Sequence, residues 1–193
     1  MTNTFLVSDT HFGHKGVTQF LKEDGAKLRP WDSVEEMDEA MVKLWNETVK
    51  PTDKVYHLGD VVINRRALGI LGRLNGDKVL IKGNHDHWID DNTSKYFESI
   101  HDYLKIIIDK KHVVLFHYPI AEWDRAHHGG YHLYGHVHGN LQLEGRAMDV
   151  GIDTRPHGDM KPWSWEEIDE ILSKKEIIKH HGKTKPEAED DAV

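Results

Sequence analysis

The sequence contains no cysteine. Disulfide bonds are therefore excluded, and so is every metal site that depends on thiolate ligands. A metal ion bound to this chain would have to be held by imidazole, carboxylate and amide groups. Histidine is abundant by contrast, with 16 copies that often stand in short clusters. The composition therefore limits any metal chemistry to nitrogen and oxygen ligands.

Long apolar runs are missing as well. No segment approaches the ~20 consecutive apolar residues of a membrane-spanning helix, so we expect no membrane partner. The chain opens directly on the strand-like segment 5–7, without the basic and apolar regions of a signal peptide. We therefore expect a cytoplasmic protein.

Acidic residues outnumber basic residues by 33 to 25, and the formal net charge at pH 7 is −8. Duplex nucleic acid is bound through many Lys and Arg contacts to phosphates, so this balance argues against a duplex partner. It does not argue against a small substrate that contains phosphate, because bound metal ions would supply local positive charge.

Length and composition favour one globular domain. The 193 residues are 38% hydrophobic and 30% charged, which is enough apolar material for one substantial core. Residues 1–178 contain neither a repeat nor an internal linker, and we assign them to a single domain. Residues 179–193 are charged and nearly free of large apolar side chains, so we expect a disordered tail there.

The first half of the chain alternates between strand and helix patterns. Buried strands are predicted at 4–8, 54–58 and 78–81, and helices at 33–49 and 67–74. Ser33 and Glu36 fit a capping box at the start of the longer helix. Strands that alternate with helices in this way predict a parallel sheet with right-handed crossovers.

The second half is richer in strands. Segments 104–108 and 113–116 flank a charged turn and predict a hairpin. Two further strands are predicted at 132–134 and 146–152. Ser164 and Glu167 then predict the capped start of a final helix.

Polar side chains with metal-ligand chemistry follow these strands. They are Asp9, His11, Asp60, Asn84, His85, Asp86, His117, His136 and His138. Each segment alone would pass for an ordinary polar turn. Because the carboxyl ends of parallel strands meet at one edge of a sheet, we expect these side chains to converge. The set is too large for one tetrahedral zinc and suits two ions about 3.5–4 Å apart that share a carboxylate.

In order and spacing, these motifs resemble the calcineurin-like metallophosphoesterase superfamily, in particular its short bacterial and phage members. The resemblance covers residues 4–153 through Asp9-x-His11, Gly59-Asp60, Gly83-Asn84-His85-Asp86, His117 and Gly135-His136-x-His138. It implies an α/β fold of four layers, with two mixed β-sheets packed as a sandwich and flanked by α-helices. It also implies metal-dependent hydrolysis of phosphoester bonds.

The resemblance further implies a role for each motif residue. One divalent ion would be held by Asp9, His11 and His138, the other by Asn84, His117 and His136, with Asp60 between them. His85 would protonate the leaving group and Asp86 would orient it. Mn²⁺ is the favoured ion, with Fe, Zn²⁺ and Ni²⁺ as alternatives. Asp149, Asp153 or a backbone carbonyl would serve as second partners of the imidazole ligands.

One departure from the family concerns the substrate. The protein-phosphatase branch carries an Asp-Arg pair after its Gly-Asp motif, whereas Gly59-Asp60 is followed here by Val61-Val62-Ile63-Asn64-Arg65. We therefore expect a phosphodiesterase, with a hydroxide between the two ions as nucleophile and a small phosphodiester or nucleotide-like substrate. Nuclease or phosphomonoesterase activity at the same site is one alternative, and a non-catalytic metal-binding scaffold is another.

Three further features are assigned from the sequence. His57 lies inside a predicted strand, and we interpret it as a hydrogen-bonded core residue. His14 and the loop 123–130 each have two open interpretations: contact with the substrate, or an ordinary surface loop.

Overall fold

The structure is a computed structural model that describes residues 2–22 and 24–179. All of the tail predicted to be disordered, apart from Lys179, lies outside the described residues. The described residues form two β-sheets, two α-helices and several short 3-10 helices.

Five strands form the first sheet, in the order β4-β3-β2-β1-β9. They are β1 (Thr4–Val7), β2 (Lys54–His57), β3 (Asp77–Ile81), β4 (Ser99–His101) and β9 (Trp163–Ser164). Strands β1 to β4 are parallel, as predicted for the first three, and β9 pairs antiparallel with β1. The two edge strands β4 and β9 were not predicted, because three and two residues are too few to show a hydrophobic period.

Helix α1 (Val34–Thr48) covers the outer face of the first sheet. The Ser33 hydroxyl accepts a hydrogen bond from the Glu36 N–H at 3.1 Å, which confirms the predicted start. The second predicted helix is instead a 3-10 helix, Arg65–Arg73, which contains two glycines that weaken α-helix formation. No helix in the described part of the chain is long and apolar enough to cross a membrane.

Four strands form the second sheet, in the order β5-β6-β7-β8. They are β5 (Tyr103–Ile108), β6 (Lys111–Phe116), β7 (Tyr131–Tyr134) and β8 (Ala147–Asp149). The predicted hairpin joins β5 to β6 through Asp109 and Lys110, which both have positive φ, as a tight two-residue turn requires. The remaining pairs are parallel. Helix α2 (Trp165–Leu172) begins with the predicted capping box of Ser164 and Glu167.

The two sheets pack face to face, which confirms the predicted sandwich. Leu6 and Val79 of the first sheet meet Leu115 and Leu133 of the second in one buried cluster, which helix α2 closes at one side. The outer face of the second sheet is covered by loop segments and the short 3-10 helix Ala126–His128, where the fold class predicted α-helix.

Candidate metal centre

Main-chain hydrogen bonds join the loops that follow β1 and β2. The N–H of Asp9 donates to the Gly59 carbonyl, and the N–H of His11 donates to the Asp60 carbonyl, each at 3.0 Å. The two loops are thereby held in register, so the side chains of Asp9, His11 and Asp60 lie together at one edge of the first sheet.

Two motif glycines allow the remaining loops to approach these carboxylates. A Cβ atom on Gly83 would collide with the carboxylate and N–H of Asp60. A Cβ atom on Gly135 would collide with the side chains of Ser8 and Asp9. Glycine is therefore required at both positions by close packing against Asp60 and Asp9, two of the candidate ligands.

Five of the predicted ligands have a left-handed backbone. The φ angles are 57° at Asp9, 51° at His11, 56° at Asp60, 71° at His136 and 48° at His138. Such a conformation costs a non-glycine residue on the order of 1–3 kcal/mol and clusters at functional sites. The sharp turns thus direct these side chains inward at a cost to the stability of the fold.

Asp9, His11 and His138 form the first ligand group. The Oδ1 atom of Asp9 lies 3.5 Å from Nε2 of His11 and 3.9 Å from Nε2 of His138. One ligand atom from each residue lies within 4.8 Å of the other two. Asp9 and His11 are buried, and His138 is half-buried. These separations allow three donors to share one cation.

Asp60, His117 and His136 form the second ligand group, again with ligand atoms within 4.8 Å of one another. The Oδ1 atom of Asn84 lies 3.1 Å from Nε2 of His117, so the amide oxygen belongs to the same group. The predicted ligand set is therefore assembled from five separate loops.

The carboxylate of Asp60 connects the two groups. Its Oδ2 atom lies 3.7 Å from Nε2 of His11, in the first group, and 3.6 Å from Nε2 of His117, in the second. This is the position expected of a carboxylate shared by two sites.

The residues present fit a divalent cation. The buried atoms Asp9 Oδ1, His11 Nδ1 and His11 Nε2 have no hydrogen-bond partner among the described residues. Burying such atoms without a partner is costly, and a cation would compensate two of them as ligands. Burial tends to raise the pKa of the Asp9 carboxyl, but the neighbouring imidazoles of His11 and His138 outweigh burial and leave it low. Asp9 is therefore ionised, as a ligand must be.

Comparison with known proteins finds relatives of similar length. No family model matches the chain. An uncharacterized protein of Methanocaldococcus jannaschii is 27% identical over 190 residues, covering 93% of this chain and 96% of the relative. The gene 66 protein of Mycobacterium phage L5 is 28% identical and covers 79% of this chain and 87% of its own length. The crystal structure of a protein of unknown function from Aquifex aeolicus is 26% identical and covers 89% of this chain and 100% of its own, with a TM-score of 0.65.

The face-to-face sheets, with the motifs gathered at one edge, form the architecture that the sequence resemblance implies. The chain shares its fold with the Aquifex aeolicus protein.

A buried ion pair supports the first ligand group. Nδ1 of His138 lies 2.7 Å from Oδ2 of Asp153, which confirms Asp153 as a second partner. Arg29 binds the same carboxylate through two hydrogen bonds of 2.9 Å and donates to the Asp9 and Thr10 carbonyls. Burial tends to raise the pKa of Asp153, but Arg29 and His138 lower it to about 2. Arg29 was not predicted from the sequence.

The second ligand group uses a backbone partner. Nδ1 of His117 lies 2.7 Å from the Leu58 carbonyl, which leaves Nε2 to face Asp60. Asp149, the other acid considered from the sequence, accepts hydrogen bonds from the N–H groups of Gly139 and Gly151 instead. Burial raises the pKa of Asp149 to about 6.

His85 and Asp86 are separated by the structure. The His85 side chain is 48% exposed, with Nε2 3.9 Å from Oδ2 of Asp60. Asp86 is buried, and its carboxylate accepts hydrogen bonds from the N–H groups of Asp60, Val61 and Gly83 at 2.8–3.0 Å. No hydrogen bond between the Asp86 carboxylate and the His85 ring occurs in the described structure. The predicted orienting role is thus corrected: Asp86 holds the loops that carry Asp60 and His85.

His57 and His14 take different places. The Nε2 atom of His57 lies 3.0 Å from the Thr10 hydroxyl, and Nδ1 accepts from the Gly59 N–H, which confirms His57 as a hydrogen-bonded core residue. Burial lowers its pKa to about 3. The ring of His14 lies 5.6 Å from the ring of His11, so it borders the first ligand group. Whether His14 contacts substrate stays a prediction.

The loop 123–130 packs away from the ligands. Trp123 is buried, its Nε1–H donates to the Gly130 carbonyl at 2.9 Å, and its ring lies 5.5 Å from the ring of His132. His132 stands in the half of β7 remote from the ligand-bearing end. This packing favours the second interpretation of the loop, an ordinary surface loop, over contact with the substrate.

Sequence reasoning missed Tyr118 entirely. Its ring lies 4.6 Å from the ring of His136 and 4.9 Å from that of His117, at the edge of the second ligand group. Its position directly after the candidate ligand His117 was the only available signal.

Proposed function

We propose that this protein is a metal-dependent phosphodiesterase that works with two divalent cations, with Mn²⁺ favoured. The observation that carries the proposal is the position of Asp60 Oδ2, which lies within 3.7 Å of an imidazole from each ligand group. A carboxylate shared in this way is typical of sites where two metal ions act on one phosphoryl group.

The chain supplies two sets of donors. Asp9, His11 and His138 would hold one cation, and Asn84, His117 and His136 the other, with Asp60 common to both. When bound, the cations draw charge from the phosphoryl oxygens and lower the pKa of coordinated water.

His85 would complete the reaction as the general acid. In hydrolysis a water oxygen bonds to phosphorus, the bond from phosphorus to the ester oxygen breaks, and the leaving oxygen takes a proton. Histidine is the side chain that most often donates such a proton. Nε2 of His85 is directed at the shared carboxylate while half of the side chain stays exposed, so it can reach a phosphoester bound between the two groups.

The segment after Asp60 supports a diester in preference to a phosphoprotein. Val61 and Val62 are buried, and Val62 pairs with Phe12, so these positions belong to the core. Hydrogen bonds from Thr93, together with the charge of Arg65, lower the pKa of Asp90. None of the four positions between Asp60 and Arg65 carries an acid, and Arg65 itself is exposed.

The test is hydrolysis of bis(4-nitrophenyl) phosphate by protein that has been stripped of metal and then given Mn²⁺. We expect turnover only with the ion, and slower turnover of 4-nitrophenyl phosphate. Asp60→Ala should abolish activity and metal binding, whereas His112→Ala, at an exposed histidine of β6, should keep both. Metal-independent turnover, or full activity in Asp60→Ala, would overturn the proposal. Faster cleavage of the monoester or of single-stranded oligonucleotides would replace the diester preference.

A further inference from the structure

A cavity of about 510 Å³ opens beside the second ligand group. Asn84 and Tyr118 line it next to the candidate metal centre, and Phe116, Ile89 and Ile100 provide apolar walls. Because Asn84, a candidate metal ligand, lines the cavity, a molecule bound there would lie next to a phosphoryl group bound at the candidate metal centre. We propose that this cavity binds a planar, uncharged ring on one arm of the phosphodiester, such as a nucleobase, with Tyr118 as the stacking residue. The choice of occupant rests on the proposed function.

The surroundings of Tyr118 leave room for another ring. Its ring meets those of Phe116, His117 and His136 at interplanar angles of 61°, 76° and 64°. All three contacts are edge-on, so none of these rings stacks flat against Tyr118. The side chain is also 37% exposed. An aromatic face beside a phosphate site is a common platform for stacking a base.

Size and lining both suit a small organic ligand. Sites for such ligands are clefts of roughly 300–1,000 Å³, mostly apolar and with a few polar groups that fix orientation. Phe116, Ile89 and Ile100 give the apolar part, and the exposed His87 offers ring nitrogens to a polar edge.

The charges in the cavity favour an uncharged arm. Nζ of Lys82 lies 2.7 Å from Oδ1 of Asp102, so the cation at this wall is already paired. Asp86 also lines the cavity, but its side chain is an acid that accepts hydrogen bonds from three backbone N–H groups, so it supplies no cation for a phosphate. A second phosphate in this cavity would have to compete with Asp102 for Lys82, whereas a neutral ring needs no cation.

Adenosine, which carries the ring but no phosphate, separates this inference from the proposed function. We expect adenosine to shift the amide resonances of Tyr118, His87 and Ile100 in metal-free protein, and ribose to leave them unchanged. Tyr118→Leu should weaken adenosine binding about tenfold, because stacking is lost, and Tyr118→Phe should preserve it. Tyr103→Leu is the matched control, since Tyr103 is a similarly exposed tyrosine that does not line the cavity.

Inhibition kinetics connect the cavity to the substrate. In Mn²⁺-loaded protein, adenosine should inhibit hydrolysis of bis(4-nitrophenyl) phosphate competitively. Absence of amide shifts, equal affinity in Tyr118→Leu, or inhibition that is not competitive would each overturn the inference. If the protein hydrolyses no diester, the proposed function fails, and the titration in metal-free protein still decides whether the cavity takes a ring.

Discussion

Nδ1 of His138 lies 2.7 Å from Oδ2 of Asp153, and this contact determines which nitrogen of His138 faces the first ligand group. With Nδ1 engaged, Nε2 is free to face Asp9 at 3.9 Å. Arg29 in turn holds Asp153 through two hydrogen bonds, so the orientation of one candidate ligand depends on a buried guanidinium. Partners of this kind fix the tautomer and direction of a ligating imidazole.

Replacing Arg29 with methionine should destabilise the protein strongly. The side chain is fully buried, and its loss leaves the Asp153 carboxylate without its cation. Removing one partner of a buried pair costs roughly 3–5 kcal/mol. Urea unfolding of metal-free protein measures this loss. Arg73→Met removes the exposed pair with Glu39 and should cost far less, because exposed ion pairs contribute little to stability. Equal losses in the two variants would contradict the role given to Arg29.

His85→Ala should slow the hydrolysis of diesters with poor leaving groups much more than the hydrolysis of diesters with good ones. A nitrophenolate leaves readily without a proton, whereas an alkoxide needs one, so the variant should lose on the order of 10²–10⁴-fold in turnover with alkyl diesters. The loss with bis(4-nitrophenyl) phosphate should be much smaller. Rates with both substrates, and metal content measured alongside, provide the check. A uniform loss accompanied by loss of metal would make His85 a ligand instead of an acid.

Asp86→Asn should affect both classes of diester alike. Its carboxylate accepts three backbone N–H groups, and an amide in its place would direct a donor at one of them. We expect roughly 1–3 kcal/mol of destabilisation and weaker metal binding. Turnover of alkyl diesters and of bis(4-nitrophenyl) phosphate by the variant provides the test. A loss confined to alkyl diesters would restore the role, predicted from the sequence, of orienting His85.

Stability should fall below neutral pH in part through His132. Burial lowers its pKa to about 4, against about 6.5 in an unfolded chain. Between these values the unfolded chain binds a proton that the folded chain does not, so the free energy of unfolding decreases as pH falls. The contribution lost between pH 7 and pH 5 is about 2 kcal/mol.

The check is urea unfolding of wild type and His132→Gln at both pH values. For each protein the free energy of unfolding at pH 5 is subtracted from its value at pH 7. The contributions of titrating groups that both proteins share then cancel when the two differences are compared. The variant should show a decrease about 2 kcal/mol smaller than wild type. Parallel decreases would show that His132 is not held neutral by the fold.

The sequence predicts those parts of the fold and site that are encoded locally. The first strands, the hairpin and the two capped helices follow from hydrophobic period and from adjacent residues such as Ser164 and Glu167. The convergence of the candidate ligands follows because their motifs come shortly after strands, and parallel strands bring their ends to one edge.

The remainder depends on contacts between distant segments. Arg29 and Asp153 are 124 positions apart, and Arg29 lies outside any helix or strand, so no local pattern connects them. The partners of Asp86 are backbone groups, which a sequence does not distinguish. The positive φ angles of Asp9 and Asp60 are imposed by the turns around them, since neither residue type requires that conformation.

The most direct test of the two-ion centre is a crystal soaked in Mn²⁺ and measured with anomalous scattering. We predict two peaks about 3.5–4 Å apart, one on each side of the Asp60 carboxylate. The first should be bound by Asp9, His11 and His138, and the second by Asn84, His117 and His136. A single peak, or two peaks that do not share Asp60, would contradict the account.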